Sequence, residues 1–213
     1  MTQAGSKAQT EVVKLHYAPG TRAVRARWLL EELGIPYQLN FVDLRTAEHK
    51  SGGYVKIHPL GKVPAIEIDG TVIFESLAIL LYLADRFWEK DLAPVHEERR
   101  ERADYLTWMA FSTGTLEPAL LEQVRAKKAK EQGIKTIDLG PTLTHFEAAA
   151  QCAEDKLADR SFLLGDRLTA ADIMNGSMMI WAGKMGLLAD YPQTKRWVER
   201  LISRPAYQRA TSN

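Results

Sequence analysis

The sequence has little cysteine, little net charge and no long apolar run. Cys152 is the single cysteine among 213 residues, so an intrachain disulfide and a cysteine-based metal site are both excluded. The formal net charge is +1, which gives no general attraction for nucleic acid or for an anionic membrane. The apolar run at 77–83 is too short to span a bilayer, and the polar N-terminus is unlike a signal peptide. We therefore expect a cytoplasmic protein with no metal, no nucleic-acid partner and no membrane association.

The chain changes character near residue 90. Short strand patterns and helices alternate before that point, which favours a small α/β domain over residues 11–87. Pro94 and a cluster of charges predict a linker at 88–96, and residues 97–213 show helical periodicity throughout. The first ten residues are expected to form a flexible tail. The sequence thus predicts two domains, α/β followed by all-α.

Local signals divide the first domain into a βαβ unit, a polar loop and a ββα unit. The signals predict strands at 11–17, 35–43, 62–68 and 71–74, and helices at 22–33 and from Glu75-Ser76 onward. Asp69-Gly70 is the two-residue turn of a β-hairpin. Glu31 and Glu32 fall on the predicted solvent face of the first helix. This order of elements is that of the thioredoxin fold.

The second domain is predicted to consist of helices near 97–129, 136–158, 169–183, 192–202 and 205–211. Thr169 and Asp172 have the spacing of a capping box, in which each side chain bonds the backbone of the other residue. Asp172 is therefore interpreted as a structural cap and not as a catalytic acid.

Two features of the hairpin region suggest binding of a small zwitterion. Pro64 cannot donate a ladder hydrogen bond, so it suits an edge strand, a bulge or a cis bond, and the backbone of Val63 is left free to pair with a peptide. Glu75-Ser76 lies at a helix N-terminus, where a carboxylate could hold an ammonium group and the hydroxyl and amides could hold a carboxylate.

The pattern K-V-P-A followed by E-S-x-A-I-x-x-Y-L closely resembles the glutathione-binding core of the glutathione transferases. The resemblance extends over nearly the whole chain after residue 11, and it is closest to a cytosolic, serine/threonine-type, bacterial or fungal-like subgroup. It implies a thioredoxin-like domain plus an all-α domain, glutathione as co-substrate with no other cofactor, and a homodimer.

The resemblance also implies a set of glutathione contacts. The backbone of Val63 would pair with the cysteinyl part, with Pro64 as the cis-proline. Glu75 and Ser76 would hold the γ-glutamyl group. Two basic residues, Lys62 and His49, would contact the glycine carboxylate, and Lys50 is an alternative to His49.

Activation of the thiol is assigned to the start of the first helix. A thiol has a pKa of about 8.5, and a hydroxyl donor at a helix N-terminus favours the thiolate. Thr21 stands at that place, and by residue type alone it is equally well a plain N-cap. The resemblance puts Thr21 at the position of a catalytic serine. Tyr17 is a second candidate donor, and Arg22 could add positive potential.

The second substrate is expected between the domains, against the long helix that starts the all-α part. Tyr105, Trp108 and Phe111 supply apolar surface there, and Thr113-Gly114-Thr115 could bend the helix. The leading hypothesis is a transferase that conjugates glutathione to small hydrophobic electrophiles. Glutathione-dependent peroxide or disulfide reduction is an alternative, and so is a non-catalytic glutathione-binding ligandin.

Overall fold

A computed structural model describes residues 12–133 and 145–212 as a thioredoxin-like α/β domain followed by a helical domain. The predicted tail at 1–10 and the predicted helix start at 136 lie outside the described residues. The first domain comprises β1 Val13–Tyr17, α1 Ala23–Leu33, β2 Tyr37–Phe41, β3 Ala65–Ile68, β4 Thr71–Phe74 and α2 Ser76–Arg86. The second comprises α3 Arg99–Phe111, α4 Glu117–Glu131, α5 Phe146–Lys156, α6 Ala170–Lys184, α7 Pro192–Ile202 and α8 Pro205–Thr211.

The sheet topology brings four chain segments to one edge. The strand order is β2-β1-β3-β4, with β1 parallel to β2 and antiparallel to β3, and β3 antiparallel to β4. The ends of β1, β2 and β4 therefore meet the beginning of β3 at the same edge. Thr21, Val63, the Glu75-Ser76 start of α2 and the segment after Phe41 all lie at that edge.

The hairpin and the proline before it take defined conformations. Asp69 and Gly70 have φ values of 50° and 70°, as a type I′ turn requires. Of the three placements that suit Pro64, the structure has the cis bond, between Val63 and Pro64. The edge-strand placement is excluded, because β3 lies inside the sheet and begins one residue later, at Ala65.

The long helix predicted at 97–129 is bent. Helix α3 ends at Phe111, and a π-helical turn at Ser112–Leu116 joins it to α4. The turn contains the Thr113-Gly114-Thr115 segment that was expected to allow a bend. Glycine and threonine have low helix propensities, so regular α-helix is least stable at this point. The π-helical turn occurs there for that reason.

The two domains are joined through α1, which packs against α6 and α8. Glu32 holds Arg204 with two hydrogen bonds of 2.6 Å and 2.7 Å, and Glu31 holds Arg209 at 2.6 Å. The prediction that Glu31 and Glu32 face solvent is therefore wrong. A carboxylate face of one helix can be covered by arginines from a distant part of the chain.

Across the described residues, every helix is too short or too polar to cross a bilayer.

Candidate functional site

A cleft of about 800 Å³ opens between the two domains beside the common edge of the sheet. Its walls come from the loops after β1 and β2, from the loop before β3, and from α1, α4, α6 and α8. The side chains that matter below are those of Tyr17, Thr21, Arg22, Arg25, His49, Lys50, Lys62, Val63, Leu121, Met178, Trp181, Lys184 and Tyr207.

Thr21 lies at the entrance to α1, as the sequence predicted. Its Oγ1 donates to the carbonyl of Ala18 at 2.7 Å and accepts from the backbone N–H of Ala23 at 3.2 Å. The hydroxyl thus ties the loop after β1 to the first turn of the helix. It can donate to a bound ligand only after it releases Ala18, by rotation about its side-chain bond.

Tyr17 also reaches the cleft, although little of it is exposed. The guanidinium of Arg27 lies over its ring at 5.3 Å from the centroid. Tyr17 is therefore packed between the core and the cleft wall, where a cation partly covers the ring.

Arg22 and Arg25 are held by one carboxylate of the other domain. Glu117, at the start of α4, pairs with Nε of Arg22 and accepts from a terminal nitrogen of Arg25 at 2.9 Å. Nε of Arg25 donates to Ser177 Oγ on α6 at 2.8 Å. Burial favours the neutral form of Glu117, yet Arg25 and Arg22 together hold the pKa of this carboxyl below its usual range. Both arginines of the cleft wall are thereby tied to the helical domain.

The residues expected to hold glutathione lie in two groups. Lys62, Val63 and His49 line the cleft. Glu75 and Ser76 follow β4 and do not line the cleft. They nevertheless lie at the same edge of the sheet. Phe74 pairs with Ala65, so the next residue, Glu75, falls opposite Pro64. Ser76 is buried and Glu75 is exposed. Glu75 has a φ of 71°, an unusual conformation for a non-glycine residue that often accompanies functional sites.

His49 is buried, in contrast to the solvated histidine that a polar loop would favour. Its Nδ1 donates to the carbonyl of Thr46 at 2.6 Å, which leaves Nε2 available to a ligand. Gly61 packs directly on this segment, since a Cβ there would lie 2.2 Å from the carbonyl oxygen of His49. The loop before β3 and the loop after β2 therefore touch through a position that requires glycine.

Tyr54 was not identified from the sequence. Its hydroxyl donates to the carbonyl of Lys62 at 2.7 Å, and its ring lies 5.4 Å from that of His16. The only signal was an aromatic residue in an otherwise polar stretch at 44–56. Tyr54 thereby holds the backbone one residue before Val63.

The structure does not bring Tyr105, Trp108 and Phe111 to the cleft. Tyr105 is fully buried in the core, and Trp108 packs edge-on against Phe111 with centroids 5.0 Å apart. The face of α3 that carries Tyr105 and Trp108 packs against α6. The apolar wall of the cleft is formed instead by Leu121, Met178, Trp181 and Tyr207. Sequence periodicity identifies such an apolar face but not which partner covers it.

No group of side chains suited to a metal ion occurs within residues 12–133 and 145–212. The site consists of hydroxyl, amide, guanidinium and ammonium donors around a partly apolar cleft. Such a set can bind an anionic peptide, stabilise a thiolate and hold an apolar second molecule.

Comparison with known proteins agrees with this description. The model of the glutathione S-transferase N-terminal domain matches residues 11–85, and that of the glutathione S-transferase C-terminal domain matches residues 142–205. Glutathione S-transferase F13 of Arabidopsis thaliana is 29% identical over 186 residues, with 84% of each chain covered. The disulfide-bond oxidoreductase YfcG of Escherichia coli (strain K12) is 31% identical over 207 residues, with 92% of each chain covered.

A solved structure with a similar fold contains the tripeptide itself. It is a glutathione transferase family member from Pseudomonas fluorescens pf-5 with two glutathione bound, at 26% identity and a TM-score of 0.79. The similarity covers 94% of this chain and 92% of that chain.

Proposed function

Because this chain belongs to the glutathione S-transferase family, we propose that it conjugates the thiolate of glutathione to small electrophiles that enter the interdomain cleft. One observation carries the proposal for the site: a common sheet edge collects Thr21, Val63 and Glu75-Ser76 beside an open cleft.

The order of the strands matches the order of the chemical groups in glutathione. Moving across the edge from β4 to β2, one meets Glu75-Ser76, then Val63, then Thr21, then the loop with His49. Glutathione carries its γ-glutamyl group, its thiol-bearing cysteine and its glycine carboxylate in the corresponding order. Three strand spacings amount to about 14 Å, close to the reach of an extended tripeptide with a γ-linkage.

In this arrangement each group of the tripeptide has a partner of suitable chemistry. Glu75 binds the ammonium and Ser76 binds the carboxylate of the γ-glutamyl end. The backbone of Val63 pairs with the cysteinyl unit. Lys62 and His49, with Lys50 beside them, bind the glycine carboxylate.

We assign thiol activation to Thr21. To lower a thiol pKa by about two units the site must favour the thiolate by about 2.7 kcal/mol. A hydrogen bond to a charged group supplies about 1.5–3 kcal/mol, and the N-terminus of α1 and the guanidinium of Arg22 add positive potential. The thiolate is a stronger acceptor than the carbonyl of Ala18, so the Thr21 hydroxyl turns toward it when glutathione binds.

The decisive measurement is the ultraviolet thiolate absorbance of bound glutathione as a function of pH. Thr21→Val keeps the shape of the side chain and removes the hydroxyl, and Thr21→Ser keeps the hydroxyl. We expect the pKa of the bound thiol to rise by about one to two units in Thr21→Val and to stay near the wild-type value in Thr21→Ser. Turnover should fall roughly 10- to 100-fold in the valine variant only.

The other outcomes are equally informative. An unchanged thiol pKa in Thr21→Val, together with a raised one in Tyr17→Phe, would transfer the donor role to Tyr17. Binding with no shift of the thiol pKa would favour a ligandin. Reduction of disulfides in the absence of conjugation would place the protein with its oxidoreductase relative.

We also propose a homodimer in the cytoplasm. Leu60, Val72 and Phe74 are exposed apolar side chains at or near the β4 edge, and such a patch suits a second copy of the chain. The lone cysteine fits a reducing compartment. Light scattering would measure the mass against the 24.0 kDa of one chain.

A further inference from the structure

The charged residues that line the cleft all have one sign. Arg22, Arg25, Lys50, Lys62 and Lys184 line it, and no aspartate or glutamate is among its described lining residues. Glu117 lies behind Arg22 and Arg25 and balances one of those two charges. The formal net charge of the whole chain is only +1, so the cleft concentrates positive charge.

In the proposed binding mode, glutathione accounts for only part of this charge. Lys50, Lys62 and His49 belong to the α/β domain, beside the proposed glycine carboxylate. Lys184 lies on the opposite wall, at the C-terminal end of α6. Its side chain is exposed, and within the described residues no carboxylate lies within ion-pair distance of it.

Lys184 terminates the apolar wall of the cleft. Met178, Trp181 and Lys184 are spaced by three residues and share one face of α6. Leu121 and Tyr207 extend the same wall from α4 and α8. A flat apolar group placed against Trp181 would therefore have an ammonium group at its rim.

From this arrangement, and building on the function proposed above, we propose that the cleft selects apolar, planar electrophiles that carry an anionic group such as a carboxylate, which pairs with Lys184. In the transfer step the thiolate sulfur forms a bond to the electrophilic carbon. The leaving group departs with its bonding electron pair, and the thiol proton has already passed to solvent. When the acceptor is an activated aromatic ring, addition of the thiolate places negative charge on the ring, and the guanidinium of Arg22 beside the proposed thiolate stabilises that charge.

The test compares two electrophiles that share a reacting centre and differ by one carboxylate group. Chlorodinitrobenzene is neutral and chlorodinitrobenzoate is anionic, and both lose chloride to a thiolate. With glutathione saturating, we expect Lys184→Glu to lower kcat/KM for the benzoate about tenfold and to change that for the neutral compound by less than about twofold. Lys184→Arg should keep the preference. Lys195→Glu is the matched control, because Lys195 is exposed on α7 and does not line the cleft.

A binding measurement separates failure of this inference from failure of the proposed function. Dinitrobenzoate and dinitrobenzene, which lack the leaving group, should quench tryptophan fluorescence through Trp181, and the benzoate should bind more tightly in wild type than in Lys184→Glu. Turnover of the neutral compound with equal sensitivity of both ligands to Lys184→Glu would overturn the inference alone. Absence of all turnover with selective binding of the benzoate would overturn the transferase function and retain the anion site. Glutathione is itself an anion, and a second molecule of it could displace the benzoate. Displacement that is lost in Lys184→Glu would support an anion site at Lys184. Displacement that is equally strong in wild type and in Lys184→Glu would contradict it.

Discussion

At the scale of single residues, Tyr54 connects the irregular segment after β2 to the loop before β3, where glutathione is proposed to bind. Its hydroxyl donates to the carbonyl of Lys62 at 2.7 Å, directly before the Val63 backbone that is proposed to pair with the tripeptide. Burial raises the pKa of Tyr54 to about 12, so the hydroxyl stays protonated and keeps donating throughout the neutral range. Tyr54 is therefore a positioning residue for the peptide-binding backbone.

We expect Tyr54→Phe to raise KM for glutathione roughly fivefold and to change kcat little, because the lost bond is worth about 1 kcal/mol and orients the binding loop without touching the thiol. The effect should be independent of pH between about 6 and 9. Steady-state kinetics with glutathione as the varied substrate measures it.

Tyr191→Phe is the matched control for this prediction. Its hydroxyl also donates to a backbone carbonyl, that of Glu147 at 3.3 Å, but it lies within the helical domain. Equal effects of the two substitutions on KM would show that Tyr54 contributes only general stability.

The residues of the site differ in how far sequence alone could place them. Thr21, Val63 and Ser76 are adjacent to strong local signals, namely a strand end, a proline and a helix start, and these signals fix where the backbone turns. The partner of the Thr21 hydroxyl, the carbonyl of Ala18, is a matter of loop geometry that no pattern specifies. Tyr54 acts on a backbone carbonyl, which every residue possesses, so the sequence shows an aromatic residue but not the carbonyl that it binds.

At the scale of elements, α6 depends on the capping box that the sequence predicted. Asp172 accepts from the backbone N–H and the hydroxyl of Thr169 at 2.8 Å and 3.0 Å. It also accepts from the N–H of Leu163 at 2.8 Å and from the indole of Trp197 at 3.1 Å. Burial raises the pKa of Asp172 to about 6, and these four donors act in the opposite direction. The carboxylate thus joins α6, α7 and the preceding loop.

Asp172→Ala should lower the free energy of unfolding by about 3–5 kcal/mol, because it leaves several buried donors without an acceptor. Urea denaturation measures this, with Asp190→Ala as a control at an exposed aspartate. The pKa of the bound thiol should be unchanged in the folded Asp172→Ala protein. A shift of that pKa would assign Asp172 a part in catalysis and contradict a purely structural role.

Helix ends were predictable where a local cap defines them. Three predicted helices agree closely with α6, α7 and α8, namely those at 169–183, 192–202 and 205–211. Thr169, Pro192 and Pro205 mark where they start. The bend after α3 was anticipated only as a weak point at Gly114. The outer face of α1 was misassigned, because Glu32 binds Arg204, directly before α8, and Glu31 binds Arg209 in α8, and both arginines are far away in sequence.

At the scale of the whole molecule, the property that defines the cleft arises only on folding. Lys62, Arg22 and Lys184 are scattered along a nearly neutral chain, and the fold places them on facing walls. Tyr105, Trp108 and Phe111 of α3 were expected to line the cleft, and for the same reason the sequence could not show that other residues line it. Periodicity shows that α3 and α6 each have an apolar face, but only the packing of α3 on α6 decides which faces remain open to a ligand.

The ion pair between the domains should make stability depend on pH in a defined direction. Glu117 has a pKa below its usual range in the folded protein. As the pH falls, its carboxylate is therefore protonated in the unfolded chain at a higher pH than in the folded protein. The stabilisation is complete above about pH 4.5 and is lost as the pH falls through the lower folded pKa. Glu117→Gln should therefore cost about 3–5 kcal/mol at pH 7, because the buried Arg25 loses its partner, and the cost should shrink as the pH falls below the ordinary pKa of a glutamate. Urea denaturation across this range measures both effects.

Asp104→Asn, which breaks a half-exposed pair with Lys156 inside the helical domain, should cost less than about 1 kcal/mol. A cost for Glu117→Gln that is as small as this control, or that grows as the pH falls, would mean that the carboxylate does not hold the two domains together.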